Sequence, residues 1–273
     1  MLPSPVLPRP TIESGGVPAP GAPARQQAGR VIEDLSSVDP AIALTNEAAL
    51  DACRSVAIRL RTMLAKAGAR SLAIVSAARD EGKTTAAMDL AFAMGTLSKE
   101  GEVALVDLDL RRPSVARKLG VHVELGVEQY LLGGAELDDV RMSIRRPSVD
   151  VYAVGAPVRS VHELLVSPRF AQLIQELESR HAVVIVDTPP DLVASDSALI
   201  LEHVAVCVPV GRMGFTRMRR FRQLIESLPK HQVLGCLLND VRSPRSDFYY
   251  YQDSEERAEQ PPSGKRRWLR GKA

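Results

Sequence analysis

The chain has 273 residues, of which 45% are hydrophobic, 25% charged and 4% aromatic, with a formal net charge of +2. At about 100–200 residues per domain, that length allows one generous domain with tails or two small ones. The small charge, spread over the whole chain, makes no case for nucleic acid as a partner. No window approaches the ~18 consecutive apolar residues of a membrane span. Prolines in MLPSPVLPRP interrupt the apolar stretch that a signal peptide needs. Cys53, Cys207 and Cys236 lie far apart and outside any CxxC spacing, which speaks against a disulfide framework or a zinc site. A cytoplasmic location is the expectation.

Residues 1–42 hold eight of the nineteen prolines, interspersed with Ala, Gly and Ser. Such a stretch has little large apolar surface to offset the entropy of ordering, so a disordered leader is expected. From 43 to 67 the pattern turns helical, with Leu50, Val56, Leu60 and Leu64 near helical spacing and Arg54, Arg59, Arg61 and Lys66 on the polar side. Short apolar runs then come at 72–75, 103–106, 151–154, 183–186, 204–210 and 233–238, with helical patterns at 83–99, 168–180 and 214–228. Buried strands separated by helices predict an α/β domain over 43–245, a mainly parallel sheet with helices on both faces. The last stretch, 246–273, is polar, broken by Pro261-Pro262 and basic at its end. It reads as a flexible tail carrying three of the five tyrosines side by side, Tyr249, Tyr250 and Tyr251.

The sharpest signal is the run Ser71-Leu-Ala-Ile-Val-Ser-Ala77-Ala78-Arg79-Asp80-Glu81-Gly82-Lys83-Thr84-Thr85. A strand leads into a tight loop, then Gly-Lys-Thr opens a helix, which is the P-loop arrangement with Ala77 where the first glycine usually stands. Backbone N–H groups from Ala78 to Thr85 would point at phosphate oxygens. Lys83 would supply charge to the β and γ phosphates of ATP, and Thr84 a hydroxyl to Mg²⁺. Two further strands end on carboxylates, in VALVDLDLRRP (Asp107, Asp109) and VVIVDTPP (Asp187). Parallel sheets collect function at the carboxyl ends of their strands, so all three aspartates are expected to face the phosphate loop. A carboxylate there can hold Mg²⁺ directly or through water, or accept a proton from an attacking hydroxyl.

With these motifs, the region from about 55 to 251 resembles the bacterial tyrosine kinases, autokinases of capsule and exopolysaccharide export. The matching pieces are the P-loop, ALVDLDLRRP at 104–113, LGVEQYLLGG at 125–134, HELLVSPRF at 162–170, VVIVDTPP at 183–190, VLGCLLND at 233–240 and the tyrosine-rich tail. The resemblance implies a P-loop NTPase fold and a kinase that phosphorylates Tyr249–Tyr251 in a neighbouring subunit. Lys83 and Thr84 would bind ATP and Mg²⁺; Asp107 and Asp109 would place metal and activate the phenol, with Asp107 the favoured base. Asp187 would hold Mg²⁺ through water, which makes Thr84, Asp107 and Asp187 the metal set. Asn239 matches a place where related ATPases read adenine; a strand-end turn asparagine is the other reading. Implied partners are a membrane-bound polysaccharide co-polymerase that activates the kinase and recruits it to the inner face of the membrane, a cognate tyrosine phosphatase, and further copies of the chain.

The chain departs from the pattern in two places. Arg79-Asp80 stands where the family has Pro-Gly, which removes an easy positive-φ position and puts a carboxylate near the phosphates. Ser55 and Ile58 stand where the family's oligomer-forming helix carries Glu and Arg. Two other classes are therefore weighed: a nucleotide-binding scaffold that has lost transfer, and a partition or positioning ATPase, whose extra P-loop lysine is replaced here by Ala78. Phosphate on adjacent tyrosines adds about −1.5 to −2 charge each, enough to repel the tail from an acidic docking site.

Overall fold

Short runs of Val, Ile, Leu and Ala bounded by turn residues become the strands of one eight-stranded sheet in the computed structural model, which describes residues 30–33, 47–190 and 195–241. The chain begins with β1 (Arg30–Ile32), α1 (Glu47–Ala67), β2 (Ser71–Ser76) and α2 (Lys83–Gly95). It continues through β3 (Val103–Asp107), α3 (Val115–Lys118), α4 (Val127–Leu132), β4 (Met142–Ile144) and β5 (Val149–Tyr152). Then come α5 (Val161–Leu165), α6 (Pro168–Arg180), β6 (Val183–Asp187), α7 (Asp196–Leu201), β7 (Val206–Arg212), α8 (Met218–Ser227) and β8 (Leu237–Asn239).

The strand order is β1-β4-β5-β3-β6-β2-β7-β8. From β5 to β8 every pairing is parallel, and only β4–β5 is antiparallel. Strands β2, β3 and β6 are buried along their whole length, as expected of a sheet covered on both sides. Alternation along each strand separates two cores. Leu72, Ile74, Leu105 and Ile185 face Leu60 and Leu64 of α1 and the apolar side of α2, with Val115 of α3 and the following Leu119 beside them. Ala73, Val75, Val106 and Val186 face the opposite way, onto α4 to α8 through Tyr130, Phe170, Leu173, Ile200 and Leu224. Burying one such large aliphatic or aromatic side chain contributes about 1.5–3 kcal/mol, so the two layers fix the sheet from both sides.

Local chemistry explains where the elements stop. Gly68, at φ 62, ends α1 in a left-handed turn in which Ala69 N–H donates to Leu64 O at 3.0 Å. Helix α2 ends at Gly95, four residues short of the sequence expectation, where a Cβ would run into the backbone of Ser148. The expected run 233–238 forms a strand only at Leu237–Asn239, preceded by a single bridge from Val233 to Cys207.

Arg30–Ile32 lies inside the stretch read as a disordered leader, yet it pairs in parallel with β4 as the sheet's outer strand. Ile32 is buried in the first core, and Arg30 donates to His122 O at 2.8 Å. Residues 1–29, 34–46, 191–194 and 242–273, the last with the tyrosine cluster, lie outside the described residues. Among the described residues, no helix is long and apolar enough to cross a membrane.

Burial on the α2 side leaves one carboxylate in a poor setting. The Asp89 carboxyl is pushed up to about 6, mainly by burial, with Lys118 opposing the shift. Its folded value exceeds its unfolded one, so the native state holds more protons between about pH 4 and pH 6 and stability falls as pH rises through that window. Asp89→Asn is expected to raise the melting midpoint by about 2–4 °C near pH 8, a gain on the scale of 1 kcal/mol for a domain of this size. The gain should vanish below about pH 4, where both forms are neutral. A melting series against pH checks this, and a gain that persisted in acid would contradict it.

Candidate functional site

The strand order brings the three motif-bearing ends together. β6 lies between β3 and β2, with Asp187 in register with Asp107 on one side and Ile74 on the other. Thr188 closes the junction, its hydroxyl donating to Ile74 O at 2.8 Å with both groups buried. The three carboxyl ends thus share one rim, where a parallel sheet presents a ligand site.

The P-loop bends over this rim from β2 to α2. Gly82 sits at φ 85, a conformation that costs a residue with a Cβ roughly 1–2 kcal/mol. A Cβ there would also collide with the Asn239 side-chain amide. Asp80 takes φ 63, so the left-handed position lost with the family's glycine is kept by an aspartate, one of the residue types that tolerates it. Glu81, buried, holds the loop from within: Ala78 N–H donates to its Oε2 and the Thr216 hydroxyl to its Oε1, both at 2.8 Å. Arg212, the last residue of β7, donates its backbone N–H to Thr216 Oγ1 at 2.8 Å. Its guanidinium reaches the Asp80 carbonyl at 3.3 Å and the Asp240 carboxylate at 3.1 Å. Asn239 closes this corner, its carbonyl accepting from Met213 N–H.

At the centre, Lys83 Nζ donates to Asp187 Oδ1 at 2.8 Å, and the Thr84 hydroxyl donates to Asp187 Oδ2 at 2.6 Å. Lysine and aspartate are both buried. Ser114 Oγ donates to Thr84 Oγ1 at 3.0 Å, extending the chain of hydrogen bonds towards α3.

The other two aspartates, alike in the sequence, have different surroundings. Asp107 is fully buried, and both of its oxygens accept backbone hydrogens, from Asp109, Ser114 and Val115, each at 3.1 Å. Burial, and next the nearby Asp187 carboxylate, push its carboxyl up to about 7 against those three bonds. Asp109 is part-exposed and lines the cleft. Burial raises its carboxyl above the usual range, opposed first by the charge of Lys83.

The cleft itself has a volume of about 1160 Å³ and is walled by residues 78–85, Asp109 and Asn239. Asp107 and Asp187 lie beneath this wall. Of the expected site residues, only Tyr249, Tyr250 and Tyr251 fall outside the described ones. Polar cleft groups outside the motifs that the sequence singles out include Ser114, Arg117, Lys118, His122 and Arg212, and Arg111 lies within ALVDLDLRRP without a role assigned from the sequence. Arg111 makes a bidentate pair with buried Asp196, with Nε–Oδ2 at 2.6 Å and Nη2–Oδ1 at 3.2 Å. Arg212 carries a usable signal, since it ends a parallel strand two residues beyond the apolar run 204–210.

The residues fit a magnesium nucleotide. A buried ammonium, a hydroxyl and a carboxylate converge beside a loop whose tight turn leaves no room for a Cβ. Among the described residues, no group of three or more His, Cys, Asp or Glu is placed to hold a metal ion alone. Mg²⁺ is usually held by one or two protein groups plus phosphates and water, and the Thr84 hydroxyl and Asp187 carboxylate are groups of that kind.

No protein-family profile matches the chain. Tyrosine-protein kinase etk of Escherichia coli (strain K12) is 30% identical over 216 residues, covering 78% of this chain and 30% of that protein. The chain therefore spans about 30% of the length of the curated relatives it matches. The solved kinase domain of the Escherichia coli tyrosine kinase ETK is 29% identical with a TM-score of 0.67, over 79% of this chain and 82% of that one. The septum site-determining protein MinD with Mg-ADP, from Pyrococcus horikoshii, is 24% identical with a TM-score of 0.53, over 65% of this chain and 72% of that one, and shares the fold.

The Gly82 geometry can be tested without a ligand. Gly82→Ala should lower the melting midpoint by at least about 2–4 °C, the equivalent of roughly 1 kcal/mol of left-handed strain before the collision is counted. Adding Asn239→Ala should recover the part due to the collision and leave the strain. A single variant as stable as the parent would contradict the close approach.

Proposed function

The chain belongs to the bacterial tyrosine kinase family, and from that premise we propose that it is an ATP-dependent protein-tyrosine kinase whose acceptors are Tyr249, Tyr250 and Tyr251 of its own kind of chain. The observation that carries this reading is the convergence of Lys83, Thr84 and Asp187 under the P-loop, with the Asp109 carboxylate facing the same cleft. The departure at Arg79-Asp80 does not weigh towards an inactive scaffold, because Asp80 keeps the turn.

Loop amides from Ala78 to Thr85 and the Lys83 ammonium would bind the phosphates, and Asn239, which lies against Gly82 in the cleft wall, would border the nucleotide. Thr84 and Asp187 would hold Mg²⁺, which when bound neutralises charge on the phosphates. In the transfer, the phenol oxygen forms a bond to the γ-phosphorus, the bond to the β–γ bridging oxygen breaks, and ADP leaves with that electron pair. The phenol proton, with an unperturbed pKa near 10, goes to a carboxylate. We assign that role to Asp109 in preference to Asp107. Both Asp107 oxygens are occupied by backbone hydrogens and none of its surface is exposed, whereas Asp109 lines the cleft and burial raises its basicity. Asp107 then acts as the anchor that fixes the turn into α3.

The wider setting is part of the same proposal. A membrane-bound polysaccharide co-polymerase would activate and recruit the kinase, a tyrosine phosphatase would reverse its action, and copies of the chain would present tails to one another at the cytoplasmic face.

With Mg²⁺, ATP and the activator, phosphotyrosine is expected only at 249–251. Lys83→Met should abolish it, and replacing the three tyrosines by Phe should leave nucleotide binding intact. Asp109→Asn should lower kcat by about 10²-fold or more with its melting midpoint unchanged, the range for loss of a general base. Asp107→Asn should lose stability first, since an amide cannot accept all three backbone hydrogens. Phosphate on serine alone, or none with the activator present, would overturn the assignment.

A further inference from the structure

Helix α8 is tied to the sheet through Leu224 and Phe221 and presents a basic outer face. Arg217, Arg219, Arg220 and Arg222 are all exposed, and none forms an ion pair with a carboxylate among the described residues. Two of them, Arg217 and Arg220, join Arg79, Phe215, Ala78 and Glu81 around a hollow of about 580 Å³. Ala78, Arg79 and Glu81 also line the nucleotide cleft, so the two cavities lie on either side of the same loop. Phe215 is exposed and gives the basic hollow an apolar patch.

The described chain ends at this place. Val241, half-exposed, lines a third hollow with Arg212, Met213 and the same Phe215. The sequence beyond it is complementary: Asp247, Phe248, Tyr249, Tyr250, Tyr251, Asp253, Glu255, Glu256 and Glu259 stand within thirteen residues that hold one cation, Arg257. Tyr249 lies eight positions beyond Val241, a reach of up to about 26–29 Å when extended. The hollow shares a side chain with the exit point, so the span is easily met.

We propose that the Arg79–Phe215–Arg217–Arg220 hollow and the arginine face of α8 are a docking site for residues 247–259 of the same chain. The aromatic residues lie against Phe215, and the carboxylates lie along the arginines. Tethering by so short a linker gives an effective concentration in the millimolar range, which favours the chain's own segment over one from solution. Phosphate on the tyrosines adds charge-assisted hydrogen bonds to arginine and tightens the docking. The sign is opposite to the repulsion expected from an acidic site: the modified tail is drawn in beside the P-loop and covers its outer side. The phosphate effect rests on the kinase reading for the source of the phosphate, whereas the docking itself does not.

The test uses the full chain and needs no kinase activity. A glutamate-specific protease cuts after Glu255, Glu256 and Glu259, so its cleavage rate reports how often the tail is undocked. The rate should rise about tenfold, the equivalent of 1.4 kcal/mol, in a variant carrying Arg217→Gln, Arg219→Gln, Arg220→Gln and Arg222→Gln. It should rise similarly for the unaltered chain between about 0.05 M and 0.5 M salt, judged against an unstructured control peptide. Protection should not depend on protein concentration between about 1 and 50 μM, far below the tethered concentration. A synthetic peptide of residues 246–259 bearing phosphotyrosine should release the tail at about tenfold lower concentration than the unmodified peptide, a gain of roughly 1.4 kcal/mol from the phosphate. Equal cleavage of parent and variant at low salt would overturn the docking. Protection that grew with protein concentration would overturn the same-chain assignment, and equal potency of the two peptides would overturn the phosphate effect.

Discussion

The buried pair between Lys83 and Asp187 is the contact on which the site depends. It joins the first residue of α2 to the last residue of β6, so it exists only if β6 inserts between β2 and β3. Thr84 adds a second bond to the same carboxylate, and the two donors satisfy both of its oxygens out of water. Removing one partner of such a pair typically costs about 3–5 kcal/mol, because the other charge is left buried and alone. A fold would carry that liability at no benefit unless the pair could exchange partners. An ammonium and a hydroxyl held at the mouth of a phosphate-binding loop are the groups that a magnesium nucleotide would engage.

Around this pair the site is crowded with like charge. Asp107 lies in register with Asp187, and burial, followed by the nearby Asp187 charge, raises the Asp107 carboxyl towards neutrality. Three backbone hydrogens keep it in place. The basic walls, Arg111, Arg112, Arg117, Lys118 and Arg212, offset this density on the open side and leave the cleft suited to a polyanion. Rigidity comes from elsewhere: Glu81 and Thr216 lock the loop to the turn after β7 across 135 residues of sequence.

Much of this was legible in the residues, because the informative motifs are local. A strand, a Gly-Lys-Thr turn and a helix are contiguous, and Asp107 and Asp187 end apolar runs that have no other reading than buried strands. What failed to show was set by distant pairing. β1 and β4 have three residues each, and their strand character comes from each other and from the edge of β5, which no local propensity records. Asp107 and Asp109 are two residues apart and so share a face while the strand lasts; β3 ends at Asp107, and the turn beyond it buries one carboxylate and opens the other. The Glu81–Thr216–Arg212 brace joins ordinary residues of separate elements and has no sequence signature. The arginines of α8 are clustered in the sequence, but only the fold sets Arg217 and Arg220 beside the P-loop residues Ala78, Arg79 and Glu81 and near Val241 through the shared Phe215.

If the central pair is the part of the site that metal-bound nucleotide engages, Asp187 must account for the help that magnesium gives to binding. The direct measurement is calorimetric titration of ATP with and without Mg²⁺ into the parent chain and Asp187→Asn, which keeps an acceptor for Lys83. The parent should bind about tenfold or more tightly with the metal, a gain of at least roughly 1.4 kcal/mol, and the variant should bind equally with and without it. An undiminished magnesium gain in Asp187→Asn would contradict the account.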